Sequence, residues 1–175
     1  MSEPSPLLAP QKPALVTARL WSATGFVADL WQTIADDAPL PLAGRAIVSL
    51  ARWRRDQAAL LEQRQPIGIA VGSADTIEIE TDNITALALI ALDFPKFTDG
   101  RSYSTAKRLR DAGYKGELRA TGDVLLDQLA LMLQSGFDTF EIANAATLGA
   151  LGRQAGPIVL PSYQRRARPT RAQYG

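Results

Sequence analysis

Residues 87–142 read LALIALDFPKFTDGRSYSTAKRLRDAGYKGELRATGDVLLDQLALMLQSGFDTFEI. Three apolar runs, at 87–94, 117–120 and 139–143, alternate with two segments of helical spacing, 100–112 and 123–135. Each run is short enough for a strand, and each intervening segment is long enough for a helix. Gly113 follows the first helix and can close it in the left-handed conformation, and Gly136 can stop the second. Asp123 suits the N-cap of that second helix. Repeated strand–helix units imply parallel strands joined by right-handed crossovers.

The same pattern continues outward. Residues 46–50 and 67–71 are two more apolar strands. Residues 52–64 are helical, with Trp53, Leu60 and Leu61 available for the buried side. Residues 74–86 stay ambiguous, because IEIE alternates like a strand while a crossover needs a connecting element. A short helix is expected at 145–151. Before the first parallel strand, 15–20 and 26–31 flank residues 22–25 as a hairpin, and 36–42, with two prolines, is a loop. Residues 1–13, rich in Pro and Ser, read as a flexible arm. Residues 161–175 read as a flexible basic tail. The rest, 14–160, forms a single α/β domain.

Sheet geometry follows from alternation. Ala46, Val48, Leu50, Ile67, Ile69, Val71, Ile90, Leu92, Phe94, Leu118, Ala120, Phe140 and Ile142 share one face. Ser49, Gly68, Ala70, Gly72, Ala91, Asp93, Glu117, Arg119, Thr139 and Glu141 share the other. A doubly wound sheet buries both faces, so its strands are apolar throughout. Here the second face is small and polar, which suits the concave side of a curved sheet covered by helices on one face only. The expected fold is a singly wound parallel sheet of about five strands, a partial β/α barrel with an N-terminal β-hairpin on one edge. A flavodoxin-like, doubly wound sheet is the alternative. Five strands fall short of an eight-stranded barrel, and an open edge invites a homodimer.

Composition narrows the chemistry. The chain of 175 residues is 46% hydrophobic with a net charge of +1, the balance of a folded protein with no general affinity for nucleic acid. No apolar run is long enough for a membrane span, and the start lacks a signal-peptide pattern, so a cytoplasmic location is expected. There is no cysteine and no histidine. A catalytic thiol, a Ser-His relay and a Cys/His metal, haem or iron–sulfur site are therefore not expected. No dinucleotide or phosphate-loop fingerprint is present. The cofactor, if there is one, is left unidentified.

Charges gather at the carboxyl ends of the later strands. Asp93 closes one strand, and Lys96, Asp99 and Arg101 follow it. Arg119 lies late in the next strand, with Asp123 beyond it, and Glu141 lies late in the last. Tyr103 and Ser104 add hydroxyls. One reading is a small oxyanion site at a single mouth, with Arg101 and Arg119 forking onto the anion and backbone N–H groups at 100–102 and 122–124 facing it. The other is a structural network in which Asp93 pairs with Arg119 and the aspartates cap helices. Isolated caps and ion pairs are the commoner finding. Tyr103 suits a packing anchor better than a proton donor. Trp53 with Arg52, Arg54 and Arg55 suits an amphipathic helix with solvated arginines better than a docking surface.

The words DFPKFTDGR, YS before a basic helix, GELRATGDVLLDQL and GFDTF resemble the bacterial domain-of-unknown-function 934 family. The resemblance is dense over 89–142 and thinner over 41–71, with the arm and the arginine tail outside it. Matching positions are Asp93, Lys96, Asp99, Arg101, Tyr103, Ser104, Glu117, Arg119, Gly122, Asp123, Asp127 and Gln128. The family is carried under the label of an oxidoreductase of sulfite reduction. The resemblance therefore implies a role beside assimilatory sulfite reductase, in sulfate assimilation and cysteine biosynthesis, and brings no established catalytic residue. An electron carrier needs redox ligands that this chain lacks. An accessory protein that binds a small oxyanion or the reductase ranks first. An oxidoreductase or acid–base enzyme of the same pathway ranks second, and a non-catalytic interaction domain third.

Overall fold

The computed structural model describes residues 17–96 and 100–153. Eight strands form one sheet: β1 (Arg19–Ser22), β2 (Gly25–Phe26), β3 (Trp31–Thr33), β4 (Arg45–Ser49), β5 (Ile67–Val71), β6 (Leu89–Phe94), β7 (Glu117–Gly122) and β8 (Thr139–Ile142). Their order is β2-β1-β8-β7-β6-β5-β4-β3. From β3 to β8 each strand lies parallel beside its predecessor in the chain. A monotonic order with crossovers of one hand puts every helix on the same face. The sheet is therefore singly wound, and the doubly wound alternative is excluded.

Four helices cover that face: α1 (Leu50–Glu62), α2 (Arg101–Asp111), α3 (Leu129–Gln134) and α4 (Ala145–Arg153). Trp53, Leu60, Ala106, Leu109, Leu129, Met132 and Leu151 pack on the apolar strand residues in one core. All thirteen residues assigned by alternation to the helix side belong to that core. A second, smaller cluster (Ile47, Leu89 and Ala91, with Trp31 and Ala70) lies on the opposite face. The two clusters are the two faces that period-two alternation separates.

Two expectations need correction, and one open segment is settled. The sheet has eight strands rather than about five, and β1 runs antiparallel to both β2 and β8. The hairpin is real, but its second strand is only Gly25–Phe26. Trp31 belongs to β3, on the opposite edge of the sheet. The ambiguous segment between β5 and β6 is a loop with one 3-10 turn, Ile84–Ala86, and no α-helix.

That hairpin geometry dictates the curl. Eight strands laid flat would hold their edges about 34 Å apart. Yet only Val27–Leu30 join β2 at one edge to β3 at the other, a link that spans about 18 Å at most. The sheet must bend into a half-barrel. Side chains confirm the closure, since the Trp31 indole N–H on β3 donates to Glu117 Oε2 on β7 at 3.3 Å.

Helix ends follow local chemistry. Ser49 Oγ caps α1 by accepting the Arg52 N–H at 3.0 Å. At the end of α2, Gly113 N–H bonds Arg110 O and Tyr114 N–H bonds Leu109 O, the Schellman pair, with Gly113 at φ +90°. The same pair closes α3 at Gly136. The expected helix 123–135 is shorter: a 3-10 turn, Leu126–Gln128, precedes the six residues of α3. Asp123 is not its N-cap. The first turn opens at Leu125, two residues further on, where Gln128 Oε1 accepts the Leu125 N–H, and the Asp123 N–H bonds Phe94 O at 2.7 Å.

Candidate functional site

Among the described residues, two cavities lie toward the carboxyl ends of the parallel strands, one on each side of the sheet. The first, about 310 Å³, is a cleft between the loop after β5 and helix α2. Positions 101, 104, 105 and 108 fall on one face of α2 by helical spacing. That face carries Arg101, Ser104, Thr105 and Arg108 into the cleft. Tyr103, Ala106 and Leu109 turn the other way, into the core. Ser73, Asp75 and Thr76 form the facing wall. The Asp75 carboxylate accepts the Gly72 N–H at 2.9 Å, which shapes the loop. Ser102 Oγ–H donates to Asp93 O at 2.8 Å and ties the start of α2 to the end of β6. Among the described residues the wall thus carries two guanidinium groups, several hydroxyls and one carboxylate.

The second cavity, about 370 Å³, is the concave hollow of the half-barrel. Arg119 stands on its wall and is only 2% exposed. Its Nη1 and Nη2 fork onto the Asp29 carboxylate at 2.8 and 3.1 Å, while Nε and Nη2 donate to Glu117 Oε1 at 3.2 and 3.0 Å. Glu117 Oε1 also accepts from Thr139 Oγ1 at 2.6 Å. Asp29 sits in the short link across the open face and accepts the Trp31 N–H. Hence the fork that a cation could offer to an anion is already filled by two carboxylates. With Glu141 also lining the hollow, the wall carries an excess of negative charge.

The expected single mouth therefore divides. Arg101 and Ser104 line the helix-side cleft, whereas Arg119 and Glu141 line the hollow. Asp93, next to last in β6, is half-buried, with its Oδ1 against Gly122. Lys96 is exposed just beyond that strand, and Asp99 lies outside the described residues. Tyr103 packs edge-on against Phe94 at 5.1 Å. Burial, helped by the Asp127 carboxylate, pushes its phenol above the ordinary value, so it stays protonated near neutrality. Asp123 is half-buried in the turn after β7. The N–H groups at 122–124 do not converge on an anion: those of Asp123 and Val124 bond Phe94 O and Gly122 O.

Of the three arginines of α1, Arg54 and Arg55 are exposed, as an amphipathic helix predicts, and Arg52 is not. Arg54 holds Asp82 through two bonds of 2.7 Å, and buried Trp53 donates its indole N–H to Asp82 O at 2.7 Å. Arg52 is also buried, its Nη1 donating to Ala35 O. At the other end of the sheet, Arg110 bonds Gly136 O, Tyr114 O, Gly116 O and Asp138. The basic tail lies outside the described residues.

Sequence reasoning missed Asp29, Trp31 and Arg108. The spacing of Arg101, Ser104, Thr105 and Arg108 was a readable signal for the cleft. Nothing local announces that Asp29 reaches Arg119, because that contact depends on the curl of the whole sheet.

Among the described residues no helix is long and apolar enough to cross a membrane. Residues 68–174 match the family described as bacterial protein of unknown function (DUF934), and the chain belongs to that family. The match extends past residue 153, so the arginine tail falls inside the family's span rather than outside it. No curated protein matches the chain.

Proposed function

We propose that this member of the family is an accessory protein of assimilatory sulfite reduction that binds a small oxyanion in the α2 cleft. One observation carries the reading: Arg101 and Arg108 share a face of α2 with Ser104 and Thr105, opposite the hydroxyls of Ser73 and Thr76, around one cavity. Guanidinium groups fork onto oxyanions and hydroxyls complete their hydrogen-bond shell. The start of α2 adds the positive end of a helix dipole of eleven residues. Site preference follows from charge, because the hollow is too acidic to hold an anion. Sulfite as the anion, and sulfite reductase as the partner, come from the label that the family carries.

Deletion of the gene, with growth on sulfate, sulfite or cysteine as sulfur source, tests the role. Growth restored by cysteine and not by sulfite is expected. Complementation should succeed with the natural gene and fail with an Arg101→Ala/Arg108→Ala variant that folds normally. Full growth of the deletion strain on sulfite would contradict the role.

A further inference from the structure

We infer that the concave hollow is a second binding site, and that it takes a small organic cation with an apolar body. Its emptiness is written in the strands. The lumen of a β/α barrel is ordinarily filled by layers of branched side chains. Here the inward positions of the central strands at the level of the hollow are Ala70 and Ala91, paired across β5 and β6, while Leu89 fills the space beside Gly68. The remaining space, about 370 Å³, falls at the small end of ligand pockets, which run from about 300 to 1,000 Å³.

The lining states what fits. Leu20, Trp31, Ile47, Ala70 and Ala91 give an apolar wall, with Trp31 half-buried and facing the hollow. Asp29 and Glu141 give an acidic one. Among the described residues Arg119 is the one cation that lines the hollow, and Asp29 and Glu117 neutralise it. Among the described residues Glu141 has no ion-pair partner, so its charge is left for a ligand. An anion would meet uncompensated carboxylates. A bare metal ion would need several ligands around one point, and among the described residues no three acidic side chains are so grouped. An ammonium group beside Glu141, with its hydrocarbon against Trp31 and Ile47, satisfies both walls.

Titration of the full-length protein with benzylammonium, butylammonium, benzyl alcohol and benzoate tests this. Calorimetry gives affinity, and fluorescence reports the site, because Trp21 and Trp53 are buried in the helix-side core while Trp31 faces the hollow. Saturable binding of at least one ammonium is expected, with a fluorescence change that Trp31→Phe removes. Affinity should exceed that for benzyl alcohol by about tenfold, and benzoate should not bind. Glu141→Gln should weaken the ammonium about tenfold while leaving the urea midpoint unchanged, and Arg108→Ala should leave binding intact. Absence of saturable ammonium binding, equal affinity for all probes, or full affinity in Glu141→Gln would overturn the inference. So would a hollow already occupied by another part of this chain or by a second copy, which would abolish the response.

Discussion

Arg119 is a buried cation whose partners arrive from two directions, Glu117 on its own strand and Asp29 from a link 90 residues earlier. Removing the guanidinium strands two carboxylates at once. Arg119→Ala is expected to cost about 3–5 kcal/mol in urea unfolding, and Asp29→Asn markedly less, since Asp29 is partly solvated. Equal, small losses would show that the fork contributes little. A second residue-scale prediction concerns Asp82. The Arg54 guanidinium hydrogen-bonded to it, with the Glu78 N–H, holds its carboxyl below the usual range. A depressed carboxyl stabilises the fold at pH values above its unfolded value, about 4, and that contribution is lost as pH falls further. Asp82→Asn should therefore lower stability by about 2 kcal/mol at pH 7, with the gap to the natural protein narrowing below pH 4. A gap constant from pH 7 to pH 3 would contradict this. At this scale the sequence was a partial guide. Arg119 stood out by its charge in an apolar strand, but its partner was expected to be Asp93, because nearby acids are visible and distant ones are not.

Elements were more legible. Alternation sorted the strand residues onto two faces correctly, and Gly113 was readable as a helix stop, because these features depend on neighbours within a few positions. The shorter α3 was not readable, since Leu125, Leu129, Met132 and Leu133 keep helical spacing whether or not the first turn is 3-10. The Phe26–Trp31 region misled for a similar reason: an apolar run fits one strand as well as a strand end plus a link. Two glycines separate strain from crowding. Gly113 (φ +90°) has open space where a Cβ would stand. Gly122 (φ +88°) would bring its Cβ into Phe94 O and Asp93 Oδ1. Gly113→Ala should cost about 1–2 kcal/mol, the left-handed penalty alone, and Gly122→Ala clearly more, with loss of order in the turn that bonds Asp123 to Phe94. Equal costs by thermal unfolding would mean the turn yields without strain.

For the whole molecule, the one-sided winding leaves a helix-covered face and a concave face that no described helix covers, and the four-residue link forces the concave face to close on itself. The edges are short, two residues in β2 and three in β3, which blunts strand-to-strand pairing. Self-association through an extended sheet is thus disfavoured by geometry. Charges that looked like one cluster along the chain fall on two sides of the sheet, because Arg101 leaves it on a helix while Arg119 stays within it. The helix-side cleft is cationic and the hollow is acidic. A nitrogen-15 amide titration with sulfite tests the anion assignment most directly. Saturable shifts confined to residues 72–76 and 101–108, lost in Arg108→Ala and kept in Asp29→Asn, are expected. Absence of saturable shifts, or shifts centred on Arg119 and its strand neighbours, would contradict it.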